Sequence, residues 1–208
     1  MTLTPLIFAG GKSTRMQSPK HLLQLPDGRP LYQHQIDLLA RTLPTTPVIY
    51  ISLAQDSELD DYLQSLASTT TSKNPTSHAT TNLEAKPKVK VIHDLTPNQS
   101  PESESAGPAA GLLAAHNAQP DTTWLVIACD YPLLTTTALQ QLCRAYHPPV
   151  TCFRNRDGYC EPLVGIWSPE ALGRLAERVD AAARGGGGCS SGRRGVGPSR
   201  VVKENGRG

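Results

Sequence analysis

Short strand-like runs alternate along the chain with longer amphipathic segments. Runs rich in aliphatic and β-branched residues, several without polar alternation, predict strands; they lie at 6–8, 48–53, 88–93, 123–128, 150–153 and 159–167. Segments with helical apolar spacing or helix-capping residues predict helices; they lie at 31–43, 56–66, 108–117, 138–147 and 169–183. Strands that alternate with helices in this way favour a three-layer α/β/α fold with a mostly parallel sheet.

Two segments interrupt this pattern. Residues 67–87 are rich in Ser, Thr and Asn, and they cannot bury enough apolar surface to offset an ordering cost of roughly 1–2 kcal/mol per residue. We therefore expect a disordered insertion within one domain that spans residues 1–183. Residues 184–208 are rich in Gly and Arg, which predicts a disordered or truncated tail. A nucleic-acid-binding tail is an alternative, although this segment is short and lacks the aromatic residues on which bases stack.

Composition excludes several classes of partner. The net charge is only +2 over 208 residues, so the overall electrostatics favour neither nucleic acid nor an anionic membrane as a partner. No apolar run approaches the length that spans a membrane. The five cysteines are an odd number without C-x-x-C spacing, which indicates neither a disulfide framework nor a zinc site. A reduced, cytoplasmic setting is the simplest interpretation.

The stretch after the first predicted strand carries a strong chemical signal. Pro5 to Lys20 reads P-L-I-F-A-G-G-K-S-T-R-M-Q-S-P-K. Gly10 and Gly11 allow the backbone to approach a ligand closely, and the cations and hydroxyls that follow suit a polyphosphate. The spacing matches neither a P-loop nor a dinucleotide-binding fingerprint. A Gly-Gly pair after a strand is, by itself, more typical of a plain turn.

A second candidate site is the sequence Cys129-Asp130-Tyr131-Pro132, which directly follows the most strand-like run. An Asp at the end of a strand commonly caps a turn, and that is the alternative interpretation. In a parallel sheet, however, ligands bind outside the carboxyl ends of the strands, where Asp130 and the Gly10-Gly11 loop would meet. Since Mg²⁺ takes only one or two carboxylates beside phosphate oxygens and waters, Asp130 is a candidate Mg²⁺ ligand.

The string A-G-G-K-S-T-R-M-x-x-x-K at 9–20, the G-P-x-x-G turn at 107–111 and the C-D-x-P motif at 129–132 together resemble the MobA-like NTP transferase family. The resemblance covers roughly residues 3–172 and implies a Rossmann-like nucleotidyltransferase fold. It also implies Mg²⁺-dependent transfer of a nucleoside monophosphate from an NTP to a phosphorylated acceptor, with release of pyrophosphate. Related cytidylyltransferases more often carry Ala-Gly at Gly10-Gly11, so the pair favours the guanylyl branch, whose substrates are GTP and a molybdopterin-type acceptor. Gln17 departs from the family, which usually has Gly there.

The resemblance also implies roles for individual residues. Arg15 and Lys20 would hold the triphosphate, and Asp130 would hold Mg²⁺; these are the expected catalytic residues. Ser52 and Asp94 would lie near the base or ribose. The full expected nucleotide-binding and metal-binding set, in which the first residues act through their backbone, is Phe8, Ala9, Gly10, Gly11, Lys20, Ser52, Asp94 and Asp130.

The acceptor side is less well defined by the sequence. Glu161 precedes Pro162-Leu163, a segment that resembles the family's acceptor-lining strand, and it would contact the acceptor or be an ordinary exposed strand residue. No residue has the features of an activated nucleophile, so we expect direct transfer without a covalent intermediate.

One family motif is missing. Members usually carry N-x-N/D-T-P-E-E near the C-terminus, and this chain does not. We therefore expect either a truncated or altered C-terminus or a reduced member of the family. Two alternatives stand beside the guanylyl interpretation: a cytidylyltransferase or other-acceptor member, and a nucleotide-binding relic with impaired catalysis.

Overall fold

Seven strands form one sheet in the part of the chain that the structure describes. The computed structural model describes residues 2–9, 20–53, 87–94, 107–184 and 200–203. The strands are β1 (Thr4–Phe8), β2 (Val48–Leu53), β3 (Lys88–His93), β4 (Trp124–Ala128), β5 (Val150–Arg154), β6 (Cys160–Trp167) and β7 (Arg200–Lys203). The helices within these ranges are α1 (Leu31–Thr42), α2 (Gly107–Ala118), α3 (Thr136–Ala145) and α4 (Pro169–Arg184), preceded by a 3₁₀ turn at Lys20–Leu22.

The sheet is parallel except at one strand. Its order is β3-β2-β1-β4-β6-β5-β7, and among these described strands only β6 runs antiparallel to its neighbours, β4 and β5. The turn of Asn155–Tyr159 between β5 and β6 is too short for a parallel crossover, which needs a dozen or more residues, so this pair must be antiparallel. The expectation of a mostly parallel sheet is confirmed.

Helices cover both faces of the sheet. The central strand β1 shows this, because its side chains alternate between two hydrophobic cores, one on each face. Ile7 and Ala9 face a core shared with α1 and α3, whereas Leu6 and Phe8 face one shared with α2 and α4. In each layer the two helices also contact one another. These contacts confirm the three-layer α/β/α arrangement.

The expectation for the tail is wrong over four residues. Arg200–Lys203 form β7, which pairs in parallel with β5 from Thr151↔Arg200 to Arg154↔Lys203. The R-V-V-K sequence is short but β-branched at its centre, which suits an edge strand. The remainder of the tail, the predicted helix at 56–66 and the predicted insertion up to residue 86 lie outside the described residues.

Among the residues that the structure describes, no helix has the length and apolar character needed to cross a bilayer.

Candidate active site at the carboxyl edge of the sheet

Four parallel strands end together at one edge of the sheet. Phe8 lies opposite Ser52 of β2 and Ala128 of β4, and Leu53 lies opposite His93 of β3. The residues that follow these strand ends therefore gather at this edge, which is where open α/β sheets bind ligands. Ala9, Asp94 and Asp130 are among them, and of these the sequence predicts Asp130 at this edge from its position after a strand.

The end of β1 is fixed on three sides. The carbonyl of Phe8 accepts a hydrogen bond from the Cys129 N–H (2.9 Å), and the Ala9 N–H donates to the Ser52 carbonyl (3.0 Å). The buried His21 ring donates from Nδ1 to the Ala9 carbonyl at 2.9 Å. This strand end is consequently rigid. The predicted backbone contacts of Phe8 and Ala9 with a nucleotide stay predictions.

Ser52 and Asp94, both predicted near the base or ribose, are brought together. The Ser52 hydroxyl donates a hydrogen bond to Oδ1 of Asp94, and the Asp94 N–H donates to the Leu53 carbonyl at 2.8 Å. Burial raises the pKa of the Asp94 carboxyl, and the Ser52 hydrogen bond opposes that shift in part. This edge of the sheet therefore holds a carboxyl group, that of Asp94, which Ser52 orients and which burial partly shields from water.

Gly111 lets the first turns of α2 approach these residues. A Cβ atom at Gly111 would lie 2.2 Å from Cε1 of Phe8 and 2.7 Å from Oγ of Ser52, distances that real Cβ contacts do not reach. The G-P-x-x-G pattern identified this turn in the sequence, but the sequence did not reveal that its second Gly packs against two predicted site residues.

Asp130 lies on an exposed turn between β4 and α3. The turn is held by Gln35 of α1, which is completely buried. Its Nε2 lies 2.9 Å from the Tyr131 carbonyl and 3.5 Å from the Cys129 carbonyl. Sequence reasoning missed Gln35; the available signal was a polar residue at a position of α1 whose buried neighbours are mostly apolar.

Tyr131 also connects the turn to β6. Its hydroxyl donates to Oε2 of Glu161 at 2.7 Å. Burial and the neighbouring Glu161 carboxylate raise the pKa of Tyr131, so the phenol stays protonated and able to donate. Glu161 therefore lies beside the Asp130 turn, and its predicted contact with an acceptor stays a prediction.

The residues at this edge suit a magnesium–nucleotide complex. Within the described ranges, no group of three or more His, Cys, Asp or Glu side chains could hold a metal ion by itself. Mg²⁺ bound to a nucleotide needs only one or two carboxylates, because phosphate oxygens and waters supply the other ligands. The exposed oxygen donors of Asp130 fit that requirement.

The remaining predicted residues are only partly placed. Gly10, Gly11 and Arg15 lie outside the described residues, and Lys20 is placed by its backbone at the start of the 3₁₀ turn.

Known proteins match most of the chain. Residues 5–190 match the MobA-like NTP transferase domain. The chain is 31% identical to the molybdenum cofactor guanylyltransferase of Serratia proteamaculans, with 84% of this chain and 72% of that protein aligned. It is 29% identical to the molybdenum cofactor biosynthesis bifunctional protein of Synechocystis sp., with 80% of this chain aligned to only 39% of that protein.

A solved structure supports the fold. Molybdopterin-guanine dinucleotide biosynthesis protein A from Archaeoglobus fulgidus superposes with a TM-score of 0.52 at 15% identity, covering 97% of this chain and 83% of the other. Identity this low bears on the fold alone. The domain match and the Serratia relative lead to one conclusion about the family: the chain belongs to the MobA-like NTP transferase family, a family of nucleotidyltransferases.

Proposed function

We propose that this nucleotidyltransferase moves GMP from GTP to the phosphate of a molybdopterin-type acceptor and releases pyrophosphate, in the cytoplasm. The observation that supports this best is the meeting of Ala9, the Ser52–Asp94 pair and Asp130 at one edge of the sheet. A relative that covers most of the chain carries the name molybdenum cofactor guanylyltransferase.

The Asp94 carboxylate supports guanine as the base. Guanine presents two adjacent N–H donors on its pairing edge, and a carboxylate is an acceptor with two oxygens. Cytosine presents one amino donor beside an acceptor nitrogen, which a carboxylate would repel. Because Ser52 binds Oδ1, Asp94 keeps its other oxygen and further lone pairs for a ligand. A buried polar group of this kind discriminates strongly against a base that leaves it unpaired.

The chemical step needs positioning and charge neutralisation. An oxygen of the acceptor phosphate attacks the α-phosphorus of GTP, the bond from that phosphorus to the α–β bridging oxygen breaks, and pyrophosphate leaves. The attacking oxygen is already ionised near neutral pH, so no general base is required. Arg15 and Lys20 are proposed to hold the phosphates, and Asp130 is proposed to bind Mg²⁺. A Mg²⁺ ion held by Asp130 would supply positive charge against the phosphate oxygens.

Isothermal titration with GTP and CTP in the presence of Mg²⁺ tests the base preference. We expect GTP to bind more tightly by on the order of tenfold or more, and Asp94→Asn to reduce that ratio. Tighter binding of CTP would make the guanylyl assignment wrong.

Pyrophosphate release with molybdopterin as acceptor tests the reaction itself. We expect release that depends on both GTP and the acceptor. GTP binding without release would make the molybdopterin assignment wrong and would leave a nucleotide-binding relic or a family member with another acceptor.

A further inference from the structure

Two hydrogen bonds hold the residue next to Asp130 from two different elements. The Tyr131 carbonyl accepts from Gln35 of α1 at 2.9 Å, and the Tyr131 hydroxyl donates to Glu161 of β6 at 2.7 Å. The first bond fixes the backbone of Tyr131 and the second fixes its side chain. A residue held at both ends leaves little freedom to its neighbour in the chain.

Gln35 contacts the backbone on both sides of Asp130. Its single Nε2 lies within 3.5 Å of the Cys129 carbonyl as well as 2.9 Å from the Tyr131 carbonyl. A primary amide carries two N–H donors on that nitrogen, one for each carbonyl. The amide therefore bridges the carbonyl groups of the two residues on either side of Asp130, from a position on α1 that precedes Cys129 by 94 residues.

Burying the polar side chain of Gln35 lowers the stability of the fold, which suggests that the side chain is kept for another reason. It has no exposed surface, and among the residues that the structure describes its Oε1 has no hydrogen-bond partner. Leaving a buried polar group unsatisfied costs about 1–3 kcal/mol. Leu or Met would fill this position of α1 without that cost. What Gln35 offers and they lack is the pair of N–H donors, so we infer that these donors are the reason for a Gln here.

We propose that Gln35 is a positioning residue, which together with the Tyr131–Glu161 hydrogen bond sets the orientation of the Asp130 carboxylate toward the magnesium–nucleotide complex. The inference rests on the proposed function, since it needs Asp130 to act on that complex. Residues that orient a metal ligand typically change metal affinity or activity by about 10–100-fold when they are replaced.

Gln35→Met removes the donors and keeps the length of the side chain. The Tyr131 carbonyl retains a hydrogen bond from the Leu134 N–H at 3.2 Å, so the fold should survive. The matched control is Gln33→Met on the same helix, because Gln33 donates to Asp37 at 3.3 Å instead of the turn. Tyr131→Phe is a second variant, which removes only the bond to Glu161.

The measurements are GTP affinity with Mg²⁺, GTP affinity in EDTA, and the Tm of the free protein. We expect Gln35→Met to weaken Mg²⁺-dependent GTP binding by roughly 10–100-fold, with little change in EDTA and little change in Tm. Tyr131→Phe should weaken it in the same way but less. Gln33→Met should bind as the wild type does. In an Asp130→Asn background, Gln35→Met should have almost no further effect, because the carboxylate that it orients is gone.

The outcomes separate the two proposals. Wild-type protein that binds GTP equally with Mg²⁺ and with EDTA would overturn the metal role of Asp130 and this inference with it. Wild-type protein that needs Mg²⁺ while Gln35→Met and Tyr131→Phe bind normally would overturn this inference alone. Equal loss of affinity with Mg²⁺ and with EDTA, accompanied by a lower Tm, would show that Gln35 only stabilises the fold.

Discussion

Asp94 combines burial with a charge, and that combination costs stability. Its carboxyl group lies beside Ser52 at the end of β3, and burial raises its pKa above the ordinary value for an aspartate. A raised pKa means that the folded protein holds the proton more tightly than the unfolded chain does. Carboxyl groups whose pKa is shifted by burial are common at functional sites, and Asp94 lies at the sheet edge where open α/β sheets bind ligands.

The first prediction concerns the pH dependence of that cost. The stability contributed by protonated Asp94 is fully present below the unfolded pKa, about 3.9, and is lost as pH rises through the raised folded pKa. Asp94→Asn removes the charge and keeps an oxygen that can accept from Ser52. We therefore expect a higher Tm than wild type at pH 7, with a gain that shrinks as pH approaches 4. Asp121→Asn, which removes one carboxylate at an exposed position, is the control for the change in net charge. A lower Tm for Asp94→Asn at pH 7 would contradict the prediction.

The second prediction concerns Asp130. Asp130→Asn keeps the size of the side chain and removes the charge that is proposed to bind Mg²⁺. Turnover should fall by on the order of 10²-fold or more, as when a preorganised electrostatic contact worth about 3–4 kcal/mol is lost. Since Asp130 is exposed, the Tm of the Asp130→Asn protein should differ little from that of the wild type. Mg²⁺-titrated pyrophosphate release is the measurement, again with Asp121→Asn as control. If Asp130 only caps the turn, the substitution should instead lower the stability of the protein by about 1 kcal/mol and leave the Mg²⁺ dependence of turnover unchanged.

Motifs reveal some site residues and miss others for a physical reason. Ser52 lies near the end of a predicted strand, and Asp94 and Asp130 follow predicted strands, so their place at one edge could be expected from the topology of a parallel sheet. Gln35 and Gly111 act through contacts with residues far away in the chain. Such contacts depend on how α1 and α2 pack on the sheet, and hydrophobic spacing does not specify that packing to the level of individual atoms.

At the scale of elements, the sequence predicted the helices and strands that bury an apolar face. The predicted strand at 48–53 and the start of the helix at Leu31 agree with β2 and α1. The reversal at β6 was not predicted, because an apolar run has no direction; only the short turn before it forces the strand back. β7 was missed because R-V-V-K has too few residues for a periodic signal.

The close packing of α2 against the sheet gives the third prediction. Gly111 and Gly173 are each the fifth residue of their helix, yet a Cβ meets Phe8 and Ser52 at Gly111 and nothing within 4 Å at Gly173. Gly111→Ala should lower the free energy of unfolding by about 1–3 kcal/mol, because the helix must shift. Gly173→Ala should raise it by about 0.5–1 kcal/mol through helix propensity.

Urea unfolding of the two variants measures this contrast. Gly111→Ala should also weaken GTP binding, since the shift displaces Ser52 beside Asp94. Equal stabilisation by both substitutions would show that the α2–sheet contact is looser than the distances indicate.

At the scale of the whole molecule, stability should decrease from the centre of the sheet to its edges. β1 pairs with both β2 and β4, and Leu6, Ile7, Leu125, Val126 and Ile127 have no exposed surface. β3 pairs only with β2 among the described strands, and each of its residues is exposed or half-buried. The carboxyl edge of the sheet draws Ala9 and Asp130 from the ends of the central strands and Asp94 from the end of the outer one. The side of the candidate site that is proposed to bind the base should consequently open more easily than the rest of it.

Native-state hydrogen exchange tests that gradient. Amides of β1 and β4 should exchange only through global unfolding, so their exchange free energy should equal that from urea unfolding and fall with urea at the same slope. Amides of β3 should exchange through local opening, with a lower free energy that hardly depends on urea at low concentration. Addition of GTP with Mg²⁺ should raise protection in β3 more than in β1, because binding at Asp94 couples the outer strand to the centre. If β3 already shares the exchange free energy and urea slope of β1 without ligand, the sheet opens as one unit and the gradient is wrong.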